Sequence, residues 1–592
     1  MNTKVQEITQ KIQSMILRYP LVLLISLVMA VSAIICIELN YKNQYPWVKI
    51  IIVSGLGISL LFALKMLSQR MKKGIWVELL GIVFLVGYYF LLPKKEDDFT
   101  EVFAYLLIPT FILSHLLVAF VAFIKKENSE NHFWQFNKSL FVNFFLTLVF
   151  TGVLTSGVEL AFLAVENLFN LDFKEEIYGQ IAVFLLIFGS TVIFLLFNES
   201  GLEFLEKEGN YPVVLKFFTQ YVLIPLLSIY VVILYFYSGK ILINWELPRG
   251  WVSYLILAYS IVGILALLLV HPLKEEKAKS WVKIFSKVFY FTLIPLVVLL
   301  FVAIFTRVLE YGYTEPRYFV LLLAIWLMSV VLYFIFKKNP TIKFIPISLF
   351  SFGLFALVFP YFNSFSVAKR SQKNELEKIL NENNLLVDGK IDFTKEVADT
   401  IVSEIDNKFD FLSERFQNEY LFQFLDKQTK KDFEDRKYWS FYSKFIHTKI
   451  TPQSRPDDYY NVNLEASGTV DQIGEYQFMV MNQDVNFGKF KLQNDSVFLN
   501  FYQEKKDKRY ILKLNGKDSV DLLPEIDKLF QKFKPSNSDG NLHEKLDPLF
   551  IEKDLGKYHF RIYFKNLNKS KYGNETPTYW FENQVILVKE NP

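Results

Sequence analysis

Cysteine is nearly absent: Cys36 is the single thiol in 592 residues. One thiol forms no intramolecular disulfide and no cysteine-based zinc site. Histidine is also sparse, with six scattered residues, and His543-Glu544 lacks a second histidine four positions after the first. That removes the His-Glu-x-x-His zinc pattern. There is no Walker loop and no Gly-x-Ser-x-Gly elbow, and Gly55-Leu56-Gly57 lacks the third glycine of a nucleotide loop. No catalytic residue, metal site or cofactor is therefore expected, although a membrane enzyme working through an isolated carboxylate stays open. Charge is low at 21% and the net value is only +4, spread among loops. Nucleic acid is not an expected partner of such a surface.

Apolar sequence fills the space that charge leaves. The chain is 52% hydrophobic and holds 60 phenylalanines. Crossing roughly 30 Å of hydrocarbon takes about 20 apolar residues. Runs that meet this need lie at 20–37, 46–67, 75–93, 103–124, 141–165, 179–198, 212–237, 250–271, 285–308, 318–336 and 342–361. The expected fold is an all-α polytopic transmembrane bundle of about eleven helices, followed by a C-terminal α+β soluble domain. The first run follows Lys4, Lys11 and Arg18 and is too long for a cleaved signal, so it reads as a retained signal-anchor.

Basic residues crowd alternate loops. Lys65, Arg70, Lys72 and Lys73 fall in the richer set, as do Lys125, Lys126 and Lys138, and Lys274, Lys277, Lys279 and Lys283. The positive-inside rule puts that set in the cytoplasm, with the N-terminus inside and, after an odd number of spans, the C-terminal domain outside. The expected location is a bacterial cytoplasmic membrane. The expected layout is a cytoplasmic N-terminus at 1–19, a bundle at 20–361, a helical neck at 362–450 and a β-rich extracytoplasmic domain at 451–592. Trp47, Trp76, Trp134, Trp245, Trp251 and Trp281 sit near span ends, as an interfacial belt would. Trp326 lies near mid-span, where packing or lipid contact would hold it.

Two segments repeat. Leu223-Ile224-Pro225-Leu226 returns as Leu293-Ile294-Pro295-Leu296, and Glu246-Leu247-Pro248-Arg249 returns as Glu315-Pro316-Arg317. Ile345-Pro346 begins a truncated third copy. Pro225 and Pro295 each remove a backbone hydrogen bond and are expected to kink their helices. Repeats of this kind occur in transporters, and they also arise by duplication of a helical hairpin.

Ionisable groups inside spans are costly and are functional candidates. The chain offers His115 in the fourth span, Glu159 in the fifth and the polar Gln220 in the seventh. Thr155, Ser156 and Gly157 precede Glu159, and with Gly152 they would let another helix approach closely. Two readings stand. In one, Glu159 charges a polar pocket with His115 as its proton partner. In the other, Glu159 sits near the interface and His115 bonds a backbone carbonyl.

Beyond residue 361, Ser371 is expected to cap a short helix to about Leu380. Val397, Ile401, Ile405 and Leu412 mark a helix over 394–416, and another stretch covers 418–446. The period then switches to two, predicting strands at 458–464, 475–481, 488–493, 496–502 and 509–514. A tight turn follows at Asn515-Gly516. Asp521 should cap a helix carrying Leu523, Ile526, Phe530 and Phe533, and strands follow at 557–565 and 579–588. One antiparallel sheet with one packed helix is the result, with His559 on the outer side. An exposed edge would suit an envelope protein partner.

The strings Phe133–Leu140, Phe218–Leu226, Trp245–Tyr254 and Tyr313–Val320 resemble those of a bacterial family known as domain of unknown function 4153. The resemblance covers most of residues 15–390 and weakens across the C-terminal sheet. It implies a multi-span membrane protein and supplies no activity, ligand or catalytic residue. Two roles compete: transport or permeation of a small solute, and a membrane-anchored interaction protein whose outer domain binds a partner. The lipid bilayer is a partner in both. A tag placed after Pro592 should be digested by protease added to intact spheroplasts, and a shielded tag would reverse the orientation.

Overall fold

The structure is a computed structural model. It describes all residues except 1, 40–42, 73, 125–129, 170, 172, 208–210, 245–250, 275–279, 396, 436–459, 467–473, 482–486, 504–507, 534–540, 547, 572–575 and 592. The chain forms two compact units, Met1–Lys390 with Asn407–Asp432, and Ile391–Asp406 with Phe433–Pro592.

The first unit is helical. It begins with α1 (Asn2–Arg18), α2 (Pro20–Glu38), α3 (Tyr45–Met71), α4 (Trp76–Leu91), α5 (Val102–Phe120) and α6 (Glu130–Phe169). Then come α7 (Glu175–Phe184), a π turn (Leu185–Gly189), α8 (Ser190–Phe197), α9 (Leu202–Leu205), α10 (Val213–Phe217) and a second π turn (Phe218–Leu223). The series closes with α11 (Ile224–Asn244), α12 (Trp251–Leu269), α13 (Ser280–Tyr311), α14 (Glu315–Phe336), α15 (Phe344–Val358) and α16 (Ser364–Glu382). Among the described residues nine helical segments are long and apolar enough to cross a membrane, and the shorter apolar α4 and α15 bring the set to the expected size. α6 has 40 residues and so runs roughly 60 Å, twice what a crossing needs. Residues 2–18, which carried no expected structure, form α1, whose Val5, Ile8, Ile12 and Ile16 are exposed along one face while Met15 is buried.

Two apolar cores organise this unit. One gathers Leu56, Leu61, Phe62, Met66 and Phe136 from α3 and α6. The other gathers Ile256, Phe289, Leu293, Leu300 and Val331 from α12, α13 and α14. In the second, a Cβ added at Gly263 would overlap the Phe289 ring, so only glycine allows α12 to lie this close to α13. α15 touches both α5 and α14. Phe350 meets Phe120 at 5.2 Å, and Ser348 accepts from the Trp326 indole at 3.0 Å. Trp326 is thus a buried packing residue. Trp76 is exposed, as a belt residue would be, but Trp134 is buried. Its ring stacks on Tyr211 and its indole N–H donates to Leu268 O at 2.8 Å. The amphipathic indole found a carbonyl partner inside the protein, which offsets leaving the interface. The indoles of Trp245, Trp251 and Trp281 lie outside what is described.

Polar groups collect at the two ends of the bundle. At the lysine-rich end Arg70 pairs with Glu206 and donates to Ala122 O. Glu130 accepts from the Ile342 amide at 2.7 Å and lies 3.5 Å from His271. Gln69 accepts from the Leu202 amide at 2.9 Å. At the opposite end Gly312, at φ 75°, turns the chain between α13 and α14. Gln372 Nε2 donates there to Tyr311 O and Tyr313 O, and Ser371 Oγ accepts from the Tyr313 amide at 2.8 Å. Ser371 therefore caps no helix: α16 starts seven residues earlier, where the Asn363 side chain accepts from Ser366 N.

Glu315, the first residue of α14, is fully buried. Both its oxygens are bound at 2.8 Å by Arg415 Nε and Nη2. Arg415 follows α17 (Asp399–Ser413) and also lies over the Phe411 ring. This parallel fork is the strong form of a charge-assisted pair. Burial pushes the adjoining Glu414 carboxyl up, and Arg415 partly offsets the shift. After α17 come α18 (Asn418–Phe422) and α19 (Lys427–Asp435), and the rest of the helical stretch expected to 446 lies outside the described residues.

The second unit holds two sheets. Two-residue strands β1 (Leu386–Val387) and β2 (Lys390–Ile391) precede it. Then come β3 (Tyr460–Ala466), β4 (Phe478–Met481), β5 (Phe487–Leu492), β6 (Asp495–Gln503), β7 (Lys508–Leu514), β8 (Asp518–Asp521), α20 (Leu523–Gln531), β9 (Asn541–Leu546), β10 (Phe550–Leu555), β11 (Tyr558–Lys571) and β12 (Thr578–Glu590). One sheet runs β4-β12-β11-β3-β9, with β10 paired to the first half of β11. The other is the antiparallel β5-β6-β7-β8. The single antiparallel sheet expected from the sequence is thus corrected to two, and the first is mixed because β3 and β9 run parallel. Tyr558, Phe560, Ile562, Phe564 and Phe581 face Leu499, Tyr510 and Leu512 of the second sheet and Ile526 and Phe530 of α20 in one core. Asn515 and Gly516 both take positive φ, as the tight turn requires. Asp521 accepts from Leu523 N and holds the start of α20. His559 lies on the outer side, paired with Asp554 at 2.7 Å.

Removing one partner of a buried ion pair strands the other. Arg415→Met should therefore destabilise the first unit by about 3–5 kcal/mol, read as thermal unfolding of the purified protein in detergent. Unchanged melting would show that Glu315 has another partner.

Candidate functional site: a lateral pocket on the polar face of α6

α6 buries one polar stripe. Asn143, Thr147, Thr151 and Thr155 recur every four residues, which places them on one helix face, and the three threonines are buried. The stripe faces α7, the π turn and α8. Asn143 Nδ2 donates to Asn198 Oδ1 at 3.0 Å, and Tyr19 OH donates to Asn198 O at 2.8 Å. Most hydroxyls satisfy their own helix: Thr147 donates to Asn143 O at 2.7 Å, Thr191 to Ile187 O at 2.8 Å and Ser190 to Leu186 O at 2.6 Å. Thr151 and Thr155 Oγ1 are buried without a hydrogen-bond partner among the described residues. The π turn at Leu185–Gly189 inserts an extra residue opposite this stripe, a local widening often found at functional positions.

Beside the stripe is a pocket of about 500 Å³. Ser59, His115, Asn137, Thr147, Ser190 and Thr191 supply its polar atoms, and Phe62, Phe144, Leu148 and Phe194 supply much of its apolar wall. Phe144 and Leu148 are more than half exposed, so the pocket opens sideways from the bundle. Its inner polar wall is ordered by Ser59 and Ser114, whose hydroxyls are 2.7 Å apart. A smaller cavity of about 280 Å³, between α5, α14 and α15, is lined almost wholly by apolar side chains such as Ile108, Leu116, Phe319 and Leu323.

The structure brings some expected residues together and separates others. His115 lines the pocket, and its Nδ1 is 2.8 Å from Phe111 O, the backbone-bonded arrangement. Glu159 continues the α6 stripe at the same spacing, is half-buried, and has no hydrogen-bond or ion-pair partner among the described residues. It does not line the pocket, so it is not paired with His115 there. Thr155 is buried beside it and Ser156 is exposed. Nothing lies within 4 Å of a Cβ placed at Gly152 or Gly157 among the described residues, so the close helix approach expected there is not found.

Gln220 is far along the chain in the second π turn. It is 3% exposed, its Nε2 has no partner among the described residues, and it belongs to the other apolar core's neighbourhood. Pro225 is the second residue of α11, which follows that π turn, whereas Pro295 sits inside the continuous α13. Near Pro295, Tyr235 OH donates to Thr292 O at 3.0 Å. The two copies of the repeat thus differ in local helix geometry around the proline. Glu246 to Arg249 of the first copy lie outside the described residues. The site residues that sequence reading missed are Ser59, Asn137, Thr147, Ser190 and Thr191. Spacing alone signalled only Thr147. Among the described residues no group of three or more His, Cys, Asp or Glu side chains is placed to hold a metal.

A family model described as "Domain of unknown function (DUF4153)" matches residues 22–393. The chain belongs to this family. The DUF4153 stretch holds every pocket residue, Glu159 and Gln220, and ends before the two sheets. A relative is "Uncharacterized protein PM1469" of Pasteurella multocida (strain Pm70), 25% identical over 394 residues, which are 64% of this chain and 62% of that protein. The match therefore spans less than two thirds of the relative's length. No solved structure matches the chain.

An orphaned buried amide costs about 1–3 kcal/mol. Gln220→Met should raise the melting temperature of the detergent-solubilised protein. A drop instead would reveal that the amide has a partner.

Proposed function

We propose that the bundle takes an amphipathic small molecule from the plane of the bilayer and serves its transport or permeation. The protein is placed by this reading in a bacterial cytoplasmic membrane, with the lysine-rich end inside and the C-terminal unit outside. The supporting observation is the sideways-opening pocket with its clustered hydroxyls, amide and imidazole on one wall and phenylalanines on the other. A ligand with an apolar chain and one neutral polar group matches that division, because few polar groups fix orientation while apolar area supplies affinity.

A second reading, a membrane-anchored interaction protein, is favoured by a specific observation. The C-terminal unit buries a core of its own, built from ten strands and a helix, outside the stretch shared with the family. Such a unit can hold a partner while the bundle anchors it.

The experiment uses the full protein in vesicles with a long-chain fatty alcohol bearing a photoreactive diazirine. Label should concentrate on His115, Phe144 and their neighbours, and Ser190→Phe, which fills the pocket, should lower it about tenfold. Label spread evenly over lipid-facing residues such as Phe236 and Leu309 would sink the amphiphile reading. Glu159→Gln should leave the labelling unchanged, since Glu159 is not in the pocket wall.

A further inference from the structure

The outer face of the mixed sheet carries an unusual row. Cross-strand register aligns Trp580 of β12 with Asn568 of β11, Asn568 with Asn463 of β3, and Asn463 with His543 of β9. The flanking row aligns Glu582, Asn566, Glu465 and Lys545, and the row beyond aligns Thr578, Ser570 and Asn461. Alternation along the strands puts all of these opposite the core, because Val462, Leu464, Leu567, Tyr579 and Phe581 between them are buried. Across four strands the central row spans roughly 14 Å.

Several features set this surface apart from an ordinary solvated sheet. Trp580 is a large aromatic left 53% exposed at one end of an amide ladder. The ladder is ordered by its own bonds: Asn568 Nδ2 donates to Asn461 Oδ1 at 2.9 Å, Asn463 Nδ2 lies 2.9 Å from His543 Nδ1, and Ser570 and Thr578 hydroxyls are 2.8 Å apart. The Oδ1 atoms of Asn463 and Asn566 lie beneath this surface, sheltered from solvent and without a hydrogen-bond partner among the described residues. Charge is balanced, with Glu465 and Glu582 against Lys545 and Lys565, the last paired to Glu582 at 3.1 Å. No arginine lies in these rows.

We propose that this face binds an uncharged carbohydrate chain. A pyranose ring presents a flat array of C–H groups that stack on an indole, and equatorial hydroxyls that both donate and accept. Trp580 supplies the stacking plane. Asn568 supplies an amide oxygen for hydroxyl protons, and the Ser570 and Thr578 hydroxyls beside it supply further donors and acceptors. Glu465 and Glu582 accept further hydroxyl protons. The absence of a net positive field disfavours sulfated or phosphorylated chains. The inference stands apart from the amphiphile pocket and does not depend on it.

The test titrates the full-length protein in detergent micelles with chitotetraose, with cellotetraose and with a heparin tetrasaccharide, following heat and tryptophan emission. Saturable binding of a neutral tetrasaccharide is expected, with Kd of about 1 mM or tighter. Trp580→Ala should weaken it about tenfold, and Trp580→Phe should restore part of the loss. Asn568→Ala should weaken it as well. Melting curves should be unchanged in the tryptophan variants, since the indole is exposed. Failure of both neutral sugars to saturate, equal binding by Trp580→Ala, or binding of heparin alone would each overturn the proposal.

Discussion

A peptide group carried into hydrocarbon has no water to bond, and this constraint shapes the whole first unit. Helices satisfy their own backbones, so the spanning segments are apolar on every side. Polar side chains that remain within them close on the nearest carbonyl, as Thr147, Thr191, Ser228 and Ser260 each do on the residue four positions earlier. Stronger polar chemistry moves to the ends. There Arg70 with Glu206 at one end and Glu315 with Arg415 at the other tie together loops that apolar packing alone would not hold in register.

Packing between the helices follows from the same constraint. Lipid is as apolar as leucine, so helices gain from close fit more than from hydrophobic burial. Gly263 against Phe289, and the stacked pair of Tyr290 and Phe334 at 4.9 Å, show that fit in the second core. The first core is looser where α6 meets α8. A polar stripe and a π turn face each other there, and the pocket opens beside them.

The spans were legible because each is a long unbroken apolar run, a signal that needs no partner to interpret. The strands β3, β6 and β7 were legible for a similar reason, since their alternation is local. Other features depend on distant residues. Trp134 was read as interfacial, but its carbonyl partner, on Leu268, is 134 positions away. Glu315 was noticed as part of a repeat, while Arg415, 100 residues later, gave no sign of pairing with it. β11 was read only to residue 565. Its pairing with β12 shifts register between Tyr563 and Asn566, so the apolar positions step from Phe564 to Leu567 and the period of two breaks. β9 and β10 carry His543-Glu544-Lys545 and Glu552-Lys553-Asp554, and edge strands rich in charge do not look like strands. In the pocket, Thr147 was within reach of pattern reading, while Ser59 of α3 and Ser190 and Thr191 of α8 become its neighbours only through folding.

The length of α6 has a mechanical consequence. From Phe141 to Phe169 its outward side chains include Phe145, Val153, Leu160, Leu163 and Leu168, all exposed, an oily rod of roughly 43 Å. A film with a 30 Å interior could swallow that rod by leaning alone only at roughly 45°, steeper than the 0–40° that spanning helices adopt. Either the lipid swells around it or its tip, where Glu166 is bound by Tyr178, stands among the headgroups. Membrane thickness therefore acts as a load on this rod, and because the pocket opens along its flank, a thicker or thinner bilayer presses directly on the pocket's mouth.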